Sequence, residues 1–261
     1  MLVIGEQING MFGRIGKAIA DKDSAFIRKA ALSQVEAGAT ALDINCGPAS
    51  KDPATDMAWL VETVQSATDK LLVLDASKPA VIEAGLRAAG TRCLINSATA
   101  DRNKLGTYLT LAGNYKSMLV VLTVDSSGMP QGCAQRVELA AGIVDFCAQR
   151  GFPLEDIYLD PVLMPVSAAQ NQVPAALEAI REFKFISPQL KSVLGLSNVS
   201  QSAPGRELLN RVYLSMALAA GLDAVILDPS DRALMETLTV AEMLLNRNIY
   251  CDSYLKHCPG R

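Results

Sequence analysis

The 261-residue chain reads as one domain, residues 1–261, folded as a (β/α)8 TIM barrel. Three observations lead there. Short apolar runs alternate strictly with longer helical segments, which implies a parallel sheet with right-handed crossovers. Eight such units follow one another, pointing to a closed barrel rather than an open doubly wound sheet. Half of the residues are hydrophobic, enough for one large core, and the length is near the minimum for eight units.

The first strand is "LVIGE", residues 2–6. A long connection, 7–23, follows, and its "NGMFGRIG" segment is read as a loop over one barrel end. Its glycines are spaced neither as a Walker loop nor as a dinucleotide-binding fingerprint. A helix covers about 24–39, where Ala, Glu and Lys are spaced for a half-buried face. "ALDIN" (41–45) is the second strand and 56–68 its helix; "LLVLD" (71–75) is the third, with Pro79 suited to the first turn of helix 79–89. "RCLINS" (92–97) and helix 101–114 form the fourth unit. "SMLVVLTV" (117–124), the turn-rich "DSSGMPQG" and helix 133–150 form the fifth. "DIYLDP" (156–161) precedes helix 173–187, and "SVLGLSN" (192–198) precedes helix 206–220, which Gly221 stops. "AVILD" (224–228) and helix 231–245 close the series.

Composition narrows the chemistry. A net charge of −3 and 5% aromatics speak against nucleic acid and anionic membrane surfaces as partners. No run approaches the roughly 20 apolar residues of a membrane span, and the N-terminal run meets Glu6 too early for a secretory signal. A cytoplasmic protein is expected. Six scattered cysteines without a C-x-x-C pair read as reduced, mostly buried residues. The single histidine, His257, leaves little for a His-based metal site or a Ser-His-Asp triad. No bound metal is expected, and the chemistry must use carboxylates, amides, Arg or Lys.

Residues at the C-terminal ends of barrel strands face the active-site mouth. Those positions here are Glu6 and Asn9, Asp43 and Asn45, Asp75, Asn96, Asp160, then Ser197, Asn198 and Gln201. Strand 5 offers only Thr123 and Asp125. Any single Asp or Asn there can equally cap a helix or close an Asx turn, and Asp125 and Asp228, both followed by turn-like residues, are assigned to that role. Asp43 and Asn45 stand evenly between the two. A whole ring of carboxylates and amides after very apolar strands reads instead as a polar ligand site. Without matching Lys or Arg it disfavours an anionic substrate core. A carboxylate can accept two parallel N–H bonds from an amino-pyrimidinone edge, so a pterin or a guanine-like ring both fit.

The blocks "LVIGEQINGMFG", "LDINCGPA", "LLVLDASKPAVIEAGL", "LINSATA", "IYLDPVLMPV" and "VLGLSNVSQ" together resemble the pterin-binding methyltransferase family, most nearly methyltetrahydrofolate:corrinoid/iron–sulfur-protein methyltransferase. The likeness runs in order to "YCDSYLK". It extends to the folate module of methionine synthase and, more distantly, to dihydropteroate synthase. It implies that Asp160 holds the 2-amino/N3 edge of a pterin, that Asp75 and Asn96 bind other ring nitrogens, and that Asn198 reaches N5. Ser197 and Gln201 would line the same loop, with Glu6, Asn9 and Arg206 nearby. Asn198 would assist protonation of N5, with Asp43 or Asp75 in the proton network. The implied substrate is tetrahydrofolate or methyltetrahydrofolate. Its partner would be a corrinoid (cobalamin) protein docking at the barrel mouth, and the family implies a homodimer, although burial against the barrel ring is the reading favoured for the apolar segment "AEMLLNRNIYCDSYL". Dihydropteroate synthases carry cations near strands 7 and 8, where this chain has Ser197-Asn198 and Asp228-Pro229. The resemblance to that synthase is therefore the weaker alternative, and the presence of Asp75, Asn96, Asp160 and Asn198 together favours an active enzyme over a non-catalytic pterin-binding subunit of a methyl-transfer complex.

Overall fold

Eight parallel strands close on themselves in chain order in the computed structural model, which describes residues 1–248. His257, Cys251, Cys258 and the "YCDSYLK" block lie outside the described residues. The strands are β1 (Leu2–Asn9), β2 (Ala41–Asn45), β3 (Leu71–Asp75), β4 (Leu94–Thr99), β5 (Met118–Leu122), β6 (Ile157–Asp160), β7 (Lys191–Gly195) and β8 (Ala224–Leu227). Around them lie α1 (Gly13–Ala20), α2 (Ser24–Glu36), α3 (Pro53–Gln65), α4 (Pro79–Ala89), α5 (Arg102–Asn114), α6 (Gly132–Gln149), α7 (Val166–Ala169), α8 (Gln172–Ile186), α9 (Arg206–Ala220) and α10 (Arg232–Leu244). This is the expected TIM barrel.

Local chemistry sets many of the boundaries. Asp23, Asp101 and Asp231 accept backbone N–H bonds at the starts of α2, α5 and α10, each at 3.0–3.1 Å, which satisfies donors a helix start leaves orphaned. Pro79 opens α4, and Gly90 and Gly221 end α4 and α9 in the left-handed conformation.

Three expectations are corrected. The connection after β1 is not all loop: β1 runs on to Asn9, and Gly13–Ala20 forms a short helix that buries Ile15, Ala18 and Ile19. The seventh strand stops at Gly195, and Leu196–Asn198 is a 3-10 turn, because the chain bends to give Val199 N–H to the Leu196 carbonyl at 3.1 Å and Gln201 N–H to the Asn198 carbonyl at 3.2 Å. The described part of "AEMLLNRNIYCDSYL" departs from the reading as well. Ala241 still packs against the core, but Leu244 is 76% exposed and Leu245 38%, where α10 ends.

Alternation along each strand divides its side chains between the barrel interior and the helical ring. Leu42, Ile44, Leu74, Leu119, Val121 and Leu159 pack outward in the main core. Ile4, Ala41, Val73, Leu94, Val120, Tyr158, Val193 and Ala224 form a separate apolar cluster filling the barrel. This plug is the floor of the site, and two residues further along every strand lies the next inward layer. At the mouth, β1 and β2 nearly touch: a Cβ on Gly10 would lie 2.2 Å from the Cys46 carbonyl oxygen, and Gly47 has φ +77°, so only glycine fits either position. Cys46, Cys93 and Cys147 are buried, Cys133 is partly so, and all four are free thiols.

Candidate active site

Two residues beyond the plug, the next inward-facing positions are Glu6, Asp43, Asp75, Asn96, Leu122, Asp160, Gly195 and Ile226, one from each strand in order; the register staggers them along the barrel, with Asp75 opposite Asn96 and Leu122 opposite Asp160 but Asp43 opposite Val73. Period-two alternation thus turns eight separate strand ends into one ring. Irregular pairing of β1 beyond Gly5 and of β4 beyond Ile95 re-aims the chain beside Glu6 and Asn96, as bulges near sites commonly do.

On one side of the ring, amides and acids are cross-linked. Asn96 Nδ2 donates to Asp43 Oδ1 at 3.1 Å, and Asn45 Nδ2 donates to Asp75 Oδ2 at 2.7 Å. Asn45 Oδ1 in turn accepts the Gly47 N–H at 2.7 Å. Asn45 therefore serves both the turn and the ring, a link that its even weighting in the sequence did not reveal. Asp43 is 4% exposed. Burial, reinforced by the neighbouring Asp75 charge, pushes its carboxyl well above the usual range against the Asn96 hydrogen bond. Burial also raises Asp75, opposed by the bond from Asn45. Two acids in one dry corner favour a shared proton.

Glu6 continues this arc. Its Oε1 accepts from Ser197 Oγ at 2.7 Å. Burial raises its pKa, with the Ser197 bond opposing and Asp228 and Arg206 acting in opposite directions. Ser197 and Asn198 ride on the turn after β7. A Cβ on Gly195 would lie 3.0 Å from Asn198 Nδ2, so the missing side chain of Gly195 is the space into which the Asn198 amide folds. The turn is tied down by Ser200 Oγ, which donates to the Ser197 carbonyl at 3.3 Å and accepts from Arg206 Nε at 3.2 Å. Arg206 is exposed at the start of α9 and Gln201 is exposed in the loop before it; the Gln201 carbonyl accepts from Ser167 Oγ at 2.9 Å. Asn9 Oδ1 accepts the Met11 N–H at 3.0 Å and so closes an Asx turn at the mouth. Asp125 and Asp228 do the same for Ser127 and Ser230, the role expected of them.

Asp160 stands apart from the other acids. Its Oδ1 accepts the Val162 N–H at 2.7 Å, and its other oxygen makes no hydrogen bond among the described residues. Burial pushes this carboxyl up to about 7, with the Val162 bond and the Arg136 charge opposing. Thr123, fully buried just past the end of β5, donates from Oγ1 to the Asp160 carbonyl at 2.9 Å and fixes the strand end.

The mouth opens between the β3, β4 and β5 ends into a cavity of about 500 Å³ reached by Asp75, Ser97, Tyr108 and Leu122. A larger groove, about 1090 Å³, lies at the opposite barrel end beside Arg92, Tyr115 and Arg150. It has no ring of converging acids and amides, so the mouth is the stronger candidate site. Among the described residues no cluster of His, Cys, Asp and Glu is arranged to hold a metal, and no helix is long and apolar enough to cross a membrane.

A family model described as pterin binding enzyme matches residues 14–228. The chain is 31% identical over 261 residues to the methylcorrinoid:tetrahydrofolate methyltransferase of Eubacterium limosum, covering 98% of this chain and 95% of that protein. It is 28% identical to methionine synthase of Mycobacterium tuberculosis over 88% of this chain and 20% of that longer protein. Among solved structures, dihydropteroate synthase of Thermus thermophilus superposes with a TM-score of 0.71 at 18% identity, over 93% of each chain, a likeness of fold.

Proposed function

Starting from the fact that the chain belongs to the pterin-binding enzyme family, we propose that it is a methyltransferase moving a methyl group between N5 of tetrahydrofolate and the cobalt of a corrinoid carried by a separate protein. The observation carrying this reading is the ring itself: Asp75, Asn96 and Asp160 at inward-facing positions just beyond the apolar plug, with the Asn198 amide folded over Gly195 at the matching position of β7.

The free oxygen of Asp160 and its partner oxygen suit the 2-amino and N3 hydrogens of a pterin. Asp75 and Asn96 take further ring nitrogens. The bond to be made or broken joins N5 to a methyl carbon. In the direction named for the Eubacterium limosum relative, N5 attacks the methyl on cobalt, cobalt leaves as cobalt(I), and N5 sheds its proton. In reverse, N5 must gain a proton before it can leave. An asparagine amide serves both directions, presenting its carbonyl to N5–H⁺ or its N–H to neutral N5 without itself titrating. The proton moves through the acids of the ring. Burial raises both Asp43 and Asp75, the direction that favours keeping a proton, as a general acid requires. The nucleophile belongs to the substrates, which accounts for a ring without Cys, Lys or His. Exposed apolar side chains on two mouth loops, Met11 and Phe12 after β1 and Met129 after β5, suit a docking protein.

The test is turnover. Purified protein with methylcob(III)alamin and tetrahydrofolate should yield 5-methyltetrahydrofolate and cob(I)alamin in equal amounts. A protein that binds tetrahydrofolate and forms neither product is not this enzyme.

A further inference from the structure

Among the described residues, the largest fully buried side chain is charged. Arg136, on α6, is 0% exposed, and its guanidinium pairs with no carboxylate among the described residues. Its bonds go to main chain and one amide. Nε donates to the Pro161 carbonyl at 2.6 Å, Nη2 to the Val162 carbonyl at 3.3 Å, and Nη1 to the Gly132 carbonyl at 2.8 Å and to Gln172 Oε1 at 3.1 Å. Gln172 is held by the Gly132 N–H at 2.9 Å and itself donates to Gln131 Oε1 at 3.2 Å. Burying an arginine against neutral acceptors is costly, and an apolar side chain would fill the same volume at lower cost.

What the charge gains is control of the two residues after Asp160. Val162 has φ +58°, a left-handed conformation that a β-branched residue adopts only when its surroundings impose it. In that conformation its N–H reaches Asp160 Oδ1. The clamp on the Pro161 and Val162 carbonyls is what imposes it. We propose that Arg136 is a positioning residue for pterin recognition: it locks the turn that aims the Asp160 carboxylate, and its fixed charge favours the ionised form that accepts two pterin N–H bonds. This rests on the reading of Asp160 as the pterin anchor.

Few other charges compete with it. The titratable groups facing Asp160 and Arg136 from the packed elements are Tyr213 of α9, whose hydroxyl donates to the Val173 carbonyl, and Cys133 of α6. Burial raises both above their ordinary values, so they stay neutral near pH 7. Arg136 also opposes the upward pull of burial on Asp160, so its removal raises the pH at which the anchor gains its proton.

The experiment measures tetrahydrofolate affinity against pH for the intact protein and for Arg136→Met, Arg136→Lys and Asp160→Asn, with circular dichroism as the check on folding. Asp160→Asn should weaken binding about 100-fold and abolish its pH dependence near neutrality. Arg136→Met should weaken binding roughly 10- to 100-fold near neutral pH, the span of one bond to a charged group, and move the acid limb of binding to higher pH. In turnover it should raise KM for the folate and leave kcat nearly unchanged. Arg136→Lys, which keeps the charge but cannot bridge both carbonyls, should bind weakly with the limb restored. A folded Arg136→Met variant whose limb coincides with wild type overturns the proposal. If that variant does not fold, Arg136→Lys with wild-type affinity overturns it. Wild-type binding by Asp160→Asn overturns the pterin-anchor reading instead, whatever the arginine variants do.

Discussion

Asp160→Asn should make the unliganded fold more stable at alkaline pH while removing the anchor for the ligand. The reasoning is linkage. An acid whose folded-state pKa is raised above its unfolded value contributes most stability when protonated in both states. That stability is lost as pH rises through the interval between the two values. For Asp160 the interval runs from 3.8 to about 7, a span worth about 4 kcal/mol at 1.36 kcal/mol per pKa unit. The figure is an upper limit, since one oxygen still meets the mouth, where water screens the charge. Between about pH 5 and about pH 8 the wild type should lose up to about 2.6 kcal/mol that the variant keeps. The asparagine carbonyl can still accept the Val162 N–H, so no bond is orphaned. The assay is urea unfolding of both proteins at the two pH values, without folate, fitted for midpoint and slope. Asp43, Asp75 and Glu6 are present in both proteins, so their contributions cancel in the difference. A variant whose stability advantage fails to grow between the two pH values would refute the account of Asp160 as an acid strained by burial.

Other consequences follow from the same geometry. Gly195→Ala places a methyl group 3.0 Å from Asn198 Nδ2; it should displace that amide and slow methyl transfer about 10-fold or more with little change in folate affinity. Asn96→Leu removes the bond that holds Asp43 down; a loss of about 1.5–3 kcal/mol is expected, larger at pH 8 than at pH 5, by chemical denaturation. Met11→Asp combined with Phe12→Asp, at side chains 73% and 43% exposed, should slow methyl exchange with a corrinoid protein and leave exchange with free cobalamin unchanged.

Much of the barrel was legible because its signals are local. Pro79 and the glycines at 90 and 221 mark helix ends unaided, so α4 and α9 keep the boundaries read from sequence. β2 and β3 do as well, being apolar runs bounded by polar residues. The helix α1 was missed because it is short, starts at a glycine after Phe12 with no side-chain cap, and lies among residues that resemble a loop. The end of β7 was missed because a strand and a turn share the run "SVLGLSN", and the backbone bonds that bend the chain after Gly195 leave no mark in the residue types. At the site, period-two alternation exposes the ring of acids and amides once the strands are known. The pairing within it is tertiary: nothing local says that Asn96 meets Asp43 or that Asn45 meets Asp75. Arg136 was invisible for a stronger reason. An arginine within a helix reads as a solvated residue, and only contacts 25 and 26 positions away show that it is buried against the turn after β6.

The most direct measurement of the central claim is anaerobic absorbance spectroscopy of cobalt(I) corrinoid mixed with methyltetrahydrofolate, for wild type and Asn198→Ala. The cobalt(I) band should decay to methylcobalt(III) with wild type, and the variant should bind the folate yet transfer the methyl group roughly 10- to 100-fold more slowly, the cost of one bond to a charged leaving group. Wild-type protein that binds the folate and leaves the cobalt(I) band intact would contradict the methyltransferase account, and a variant as fast as wild type would contradict the role of Asn198.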